Sequence, residues 1–191
     1  MNSWTDDTLV QYFEKGNDDA FVILMNRHSA SVKSYAFRML HNEEQAEEIC
    51  TETFFRIAMQ RGKWENRGVS FKSYLFRIAH NLAIDIIRKN SLHRKKEGQV
   101  IQFSEILLQQ QTPEESLEKK ERAEMLHKAL DALAAEEREI VMLRSTHGFS
   151  SKETAEILNL TPTQVDAKYA YARNKLKENL ASLYNQKRKL S

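Results

Sequence analysis

Cysteine occurs once in 191 residues, at Cys50, so an intramolecular disulfide and a cysteine-rich zinc site are both excluded, and a reducing compartment fits. Two prolines and five glycines are too few for a turn-rich β protein. No run of about 18 apolar residues occurs, so no membrane span or insertion is expected. The opening MNSWTDDTLVQ lacks a basic segment followed by an apolar run, and no secretory signal is read there. His28, His41, His80, His93, His127 and His147 form no metal-ligand spacing, and His28 falls on an apolar face that suits a satisfied core role. There is no glycine-rich phosphate loop, no serine elbow and no pair of carboxylates in a plausible cleft. No catalytic residue, metal or cofactor is assigned, no enzyme is read, and the expected location is the cytoplasm.

What is present is helical. A hydrophobic content of 41% with 29% charged residues describes an ordinary globular chain, and the apolar spacing is helical nearly throughout, so the class is all-α. The net charge of +2 conceals segregation: Glu43, Glu44, Glu47, Glu48 and Glu52 cluster early, Arg88, Lys89, Arg94, Lys95 and Lys96 mid-chain, and Lys187, Arg188 and Lys189 near the end. Two kinds of partner, one basic and one polyanionic, would suit this distribution; so would plain solvation of helix faces.

The stretch Ser150 to Lys177, SSKETAEILNLTPTQVDAKYAYARNKLK, has the pattern of a helix-turn-helix. Ser150 with Glu153 forms a capping box, and Ala155, Ile157 and Leu158 point one helix towards a core. Asn159 tolerates the left-handed backbone a turn needs. Thr161, Pro162 and Gln164 then supply an N-cap, a first-position proline and the reciprocal partner of the cap. Val165, Tyr169, Ala172, Leu176 and Leu180 continue as a buried stripe, with Lys168, Arg173, Lys175 and Lys177 opposite. A short capped helix followed by a longer basic one fits a DNA major groove. An αα-hairpin with a solvated basic face satisfies the same spacing.

Upstream, Thr5 to Glu14 reads as a short helix stopped by Gly16. Asp18 or Asp19 is expected to cap the next, with Phe21, Leu24, Met25, His28, Val32, Tyr35, Ala36 and Met39 inside. Asn42 and Gln45 open a third helix with Ala46, Ile49, Cys50, Thr53 and Ile57 inward. Its outer stripe is Glu44, Glu48, Thr51, Glu52 and Phe55, either a protein interface or a solvated face. A loop from Gly62 to Val69 holds Trp64 and Arg67; Trp64 suits base stacking or closure of a core. Ser70 caps a fourth helix whose expected buried stripe is Phe71, Tyr74, Leu75, Ile78, Leu82 and Ile86. Arg77, Asn81, Asp85 and Arg88 share its other side, a set able to meet phosphates and base edges or merely to form an intrahelical ladder. Periodicity fails from about Ser91 to Thr112, which reads as a linker. After it, Thr112-Pro113-Glu114-Glu115 caps a helix carrying Leu117, Leu126, Ala129, Leu130 and Leu133, and a further helix holds Ile140, Val141 and Leu143. The expected domains are 1–92 and 113–191, two small helical units with a flexible tether at 93–112.

In this order the segments resemble an extracytoplasmic-function (ECF) sigma factor, a sigma subunit of bacterial RNA polymerase. Asp19-Ala20-Phe21 through Met39-Leu40 is similar to the first helix of that family's N-terminal domain. Asn42 to Arg56, NEEQAEEICTETFFR, resembles its core-binding helix, and Phe71 to Asp85, FKSYLFRIAHNLAID, the segment that reads the -10 promoter element. Leu130 to Leu180 resembles the second domain, which reads the -35 element. The resemblance implies a specificity subunit without its own catalytic site, directing promoter recognition, -10 melting and initiation. It implies that Glu48, Thr51, Glu52 and Phe55 meet the polymerase β′ coiled-coil, that the β flap is a second polymerase contact, and that the linker threads through the enzyme. It implies that Trp64, Arg67, Arg77, Asn81, Asp85 and Arg88 hold the melted -10 strand. Sigma factors of this kind are often held by an anti-sigma factor, and nothing in the sequence identifies one.

Two departures from the family pattern stand out. Leu133-Ala134 replaces the usual Leu-Pro before the last three helices. The recognition helix reads Thr163-Gln164-Val165-Asp166-Ala167-Lys168-Tyr169-Ala170-Tyr171, where the family commonly places several arginines. Lys168 and Arg173 are expected to touch phosphate, with Gln164, Asp166 and Tyr171 as candidate base readers and Thr163 as a further -35 DNA contact. An unusual or weakened -35 preference is expected, because Asp166 repels phosphate but can accept from a cytosine amino group. Other readings of the same residues are a stand-alone helix-turn-helix regulator that binds duplex operators as a dimer and a helical adaptor without a nucleic-acid role.

Overall fold

The structure, a computed structural model, describes residues 4–61, 70–97, 125–126 and 128–190. Trp64, Arg67, Thr112, Pro113 and Leu117 lie outside them. The fold is all-α, with no strand among the described residues. Two compact units are formed, Met1–Gln99 with Lys152–Leu160, and Val100–Ser151 with Thr161–Ser191. Lys152–Leu160, expected with the second domain, therefore clusters with the first unit.

In the first unit, α1 (Asp6–Glu14) starts at Thr5, whose hydroxyl accepts from the Thr8 amide, and the chain leaves it through Gly16 at φ 97°. Helix α2 (Asp18–Leu40) is capped by Asn17, whose side chain accepts from the Ala20 amide; Asp18 and Asp19 occupy the first turn instead, where they favour the helix dipole. Helix α3 (Glu43–Met59) begins as expected at Asn42, whose side chain accepts from the Gln45 amide at 2.9 Å. Helix α4 (Phe71–Glu97) starts after Ser70, whose hydroxyl accepts from the Ser73 amide at 3.2 Å. It runs to Glu97, past the expected boundary at 92. Arginine and lysine extend a helix without needing an inward face, so loss of apolar periodicity did not end it.

The core of this unit is made by Leu9 and Phe13 of α1, Leu24, Val32 and Tyr35 of α2, Ile49 and Phe54 of α3, and Phe71, Leu75, Phe76, Ala79 and Ala83 of α4. The inward line of α4 differs from the expected one. Tyr74, Ile78, Leu82 and Ile86 are only half-buried, while Phe76 and the two alanines are sealed. Large side chains on the flanks outweighed the small ones that let neighbouring helices approach. Met25 is exposed rather than inward, as is Leu126 of the second unit. The Cys50 thiol donates to the Ser29 carbonyl at 3.6 Å, and burial pushes its pKa up, which keeps it protonated and unreactive.

His28 is the satisfied core histidine expected. Its Nε2 lies 2.7 Å from Oδ2 of Asp6, its ring packs on Phe71, and Arg27 also binds Asp6. Burial pushes the Asp6 carboxyl up, but hydrogen bonds and charge from His28 and Arg27 outweigh it and hold the group below its ordinary 3.8. A carboxyl lowered by folding stabilises the fold fully above its unfolded value and loses that contribution as pH falls through the folded value. Asp6→Asn is therefore expected to lower stability at neutral pH by roughly 1–3 kcal/mol and to flatten the acid limb of a stability-against-pH curve below about pH 4, measured by urea unfolding.

In the second unit residues 128–131 are helical and Ala129 and Leu133 are buried. Helix α5 (Ala135–Val141) starts at Ala134, φ −61°, the angle a proline ring would impose, so the missing proline does not change the turn. The Ala134 amide donates to Glu137 at 3.0 Å. A π-helical turn, Met142–Thr146, continues α5 before Gly148 at φ 72°. Helix α6 (Ser151–Leu158) belongs to the first unit by its contacts from Lys152 on; it ends at Asn159, φ 54°, the left-handed turn residue the sequence required. Helix α7 (Pro162–Leu190) packs Ala172, with Tyr169 and Leu176 beside it, on Leu133 and Val141.

Candidate nucleic-acid and protein interfaces

The first surface is on α3. Glu43, Glu44, Glu47, Glu48, Thr51 and Glu52 line an open groove with Lys33 of α2. Lys33 lies 2.7 Å from Glu47 and 3.5 Å from Glu43, and the bond to Glu47 holds its ammonium above the ordinary 10.5. Glu52 pairs with Arg56 one turn on at 2.7 Å. Glu44 and Glu48 make no ion pair among the described residues. Glu48, Glu52 and Phe55 follow one helical face, on which Met59 comes next; Phe55 is 57% and Met59 68% exposed. An acidic stripe ending in two bare apolar side chains is unusual for a solvated face. Sequence reading found Phe55 and missed Met59, whose four-residue step from Phe55 was the available signal.

The second surface is on α4. Arg77 is half-buried, and Asn81, Asp85 and Arg88 stand exposed on the side away from the core, as the spacing required. The Arg77 guanidinium lies 5.3 Å from the Tyr74 ring centre and 3.9 Å from Glu156. Arg88 and Asp85 are 4.0 Å apart with side chains 75% and 67% exposed, so this ion pair contributes little to stability. At the start of α4, the hydroxyls of Ser70 and Ser73 both donate to the Glu153 carboxylate, at 2.8 and 3.1 Å. Trp64 and Arg67, which the sequence adds to this set, lie outside the described residues.

The third surface is on α7. Thr161 and Gln164 close a full capping box: the Gln164 amide donates to the Thr161 hydroxyl at 3.2 Å, and the Thr161 amide to the Gln164 side chain at 2.8 Å. The carbonyl end of Gln164 is thus committed to the helix start, leaving its NH₂ for other contacts. Ser151 donates to the Asp166 carboxylate. Lys168 binds Glu136 at 2.7 Å and Lys175 binds Glu137 at 3.1 Å, which partly neutralises the basic face expected there. The Ala134 amide first, then Lys175, hold the Glu137 carboxyl below its ordinary value. Arg144 and Arg173 flank the Tyr169 ring at 5.1 and 5.6 Å, and Tyr169 shares a hydrogen bond with Ser145. Tyr171 is 59% exposed beneath Lys175, while Thr163, Ala167 and Ala170 leave the front of the helix low enough for close approach.

No group of three or more His, Cys, Asp or Glu able to hold a metal occurs among the described residues, and no described helix is long and apolar enough to cross a membrane. The fold is all-helical among the described residues, with an acidic and apolar face on α3 and exposed polar and charged side chains on α4 and α7. Residues 24–93 match the family model for Sigma-70 region 2, and residues 123–176 match that for Sigma-70 region 4. The ECF sigma factor SigW of Bacillus subtilis is 27% identical over 91% of this chain and 96% of its own length. BldN of Streptomyces coelicolor, also an ECF sigma factor, is 30% identical over 78% of this chain and 56% of its own length. The sigma factor RpoE, in its complex with the anti-sigma factor NepR from Bartonella quintana, superposes with a TM-score of 0.70 at 23% identity, covering 84% of this chain and 96% of that one. CnrH, solved with the cytosolic domain of CnrY, gives 0.66 at 22% identity, with 93% and 97% covered. This chain belongs to the sigma-70 family and is an ECF sigma factor, a subunit that directs promoter recognition by RNA polymerase. A stand-alone operator-binding dimer is not favoured, since both matched regions are sigma regions in sigma order.

Proposed function

We propose that this subunit binds core polymerase through α3, holds the melted -10 strand on α4 and reads the -35 element with α7, and that it has no catalytic site of its own. The observation that carries the reading is the co-existence in one compact unit of the α3 stripe, Glu48, Thr51, Glu52 and Phe55, with the α4 set of half-buried Arg77 and exposed Asn81, Asp85 and Arg88. The first suits a basic, partly apolar partner surface, a place the resemblance gives to the β′ coiled-coil; the second offers cations for phosphates and amide and carboxylate groups for an extruded base. Trp64 and Arg67 belong to the same -10 set by sequence. Melting needs no bond cleavage: unstacking is offset by new stacking and hydrogen bonds to the freed strand. On α7, Lys168 and Arg173 contact phosphate, and Thr163, Gln164, Asp166 and Tyr171 face bases. The tether between the units sets the distance between the two promoter contacts, the β flap carries the second unit, and the setting is the cytoplasm. An anti-sigma factor is a fitting further partner, as in the complex of RpoE with NepR.

Gel shift of duplex promoter DNA tests this directly. The protein with core polymerase is expected to give a discrete complex that the protein alone does not; tight binding by the protein alone, unchanged by polymerase, would contradict the reading. The ion pair between Lys168 and Glu136 makes a second prediction. Glu136→Ala frees a cation for phosphate, so the slope of log affinity against log salt should become more negative by up to about 0.9.

A further inference from the structure

The side chains of Ser151, at the start of α6, and Asp166, on α7, are joined by a hydrogen bond. Asp166 lies in the second turn of α7 on the exposed front, between Thr163 and Ala170, and makes no ion pair among the described residues. Its described partner is a neutral hydroxyl: Ser151 Oγ donates to Oδ1. A full negative charge therefore faces whatever the helix meets. Against phosphate it repels, and against a base edge it repels every acceptor, namely the N7 and O6 of guanine, the O4 of thymine and the N7 of adenine. Cytosine alone presents an amino donor in the major groove without an acceptor on the same base. Thr163, Ala167 and Ala170 leave room for the backbone to come close enough for that contact. The serine hydrogen occupies one carboxylate oxygen and fixes the rotamer, so the second oxygen is held ready with less to lose on binding.

We infer that Ser151 and Asp166 act together to require a cytosine at one position of the -35 element, with Asp166 as the reader and Ser151 as its positioning residue. The inference rests on the sigma-factor reading and adds a base to it. The test is run-off transcription by core polymerase with the full chain, from templates carrying all four bases at each -35 position. The expected result is one position where cytosine on the read strand exceeds the other bases by on the order of tenfold. Asp166→Ala should flatten that position to within about twofold with start sites kept, because the side chain is exposed and its loss leaves the helix intact. Asp166→Asn should move the preference from cytosine to adenine, whose N6 and N7 suit an amide. Ser151→Ala should weaken the cytosine preference without changing its identity, and Ser151→Thr should restore it. Initiation whose base preferences are the same with Asp166 and with Ala at this position overturns the inference and leaves the sigma-factor reading standing. No polymerase-dependent initiation from any template overturns both.

Discussion

A Phe55→Ala chain is expected to bind core RNA polymerase roughly 30-fold more weakly than the unaltered protein, about 2 kcal/mol, with no measurable loss of fold. The side chain is 57% exposed on α3, so its truncation leaves no cavity. It stands at the apolar end of an acidic stripe, where a partner helix would desolvate it. Aromatic anchors at the centre of such contacts carry most of the binding energy, while charges at the rim mainly set orientation and association rate. Glu48→Ala should accordingly cost less and make binding less sensitive to salt. Titration of labelled protein with core polymerase measures both, with Gln11→Ala, on an exposed face of α1, as an unaffected control. Equal affinities of the Phe55→Ala and unaltered chains would remove α3 from the interface.

The largest effect on stability is expected at Phe76. Its ring is 0% exposed, packs 5.2 Å from that of Tyr35, and anchors the side of α4 opposite Asn81 and Asp85. Phe76→Ala removes a buried aromatic and leaves a cavity the surrounding helices fill only in part, a cost of about 3–5 kcal/mol. Against a typical domain stability of roughly 5–15 kcal/mol this brings the first unit close to unfolding near 37 °C. Urea unfolding followed by circular dichroism measures it. Phe76→Leu should lose distinctly less, and promoter activity should fall with the unfolded fraction rather than with -10 sequence. A loss under about 1 kcal/mol for Phe76→Ala would contradict the inward placement of Phe76 on α4.

How much of this was legible in the sequence differs between elements. Caps were read best, because a cap is a local bargain between one side chain and one amide: Asn42 with Gln45, Ser70 with Ser73, and Thr161 with Gln164 all close as the spacing demanded. The cap of α2 slipped to Asn17, since three adjacent residues could each serve and only the geometry of the turn after Gly16 selects one. Burial along α4 was misread where alanine does the packing, because Ala79 and Ala83 carry weak hydrophobic signals yet sit at the closest approach. The placing of half-buried Arg77 with exposed Asn81, Asp85 and Arg88 on one side followed from spacing alone. Their role did not; a solvated ladder and a strand-binding face have the same periodicity, and it is the resemblance of the neighbouring segments that favours the second. The pairing of Lys168 with Glu136, of Lys175 with Glu137 and of Asp166 with Ser151 was beyond the sequence, since each joins residues well apart in the chain.

The measurement that reaches the central claim most directly is run-off transcription by bacterial core polymerase, with and without this protein, on a pool of genomic promoters. The account predicts new, discrete start sites in its presence, lost with Glu52→Lys through failure to join polymerase and with Asn81→Ala through failure to hold the opened -10 strand. Repression or no change, together with tight binding of duplex operators by the protein alone, would contradict it.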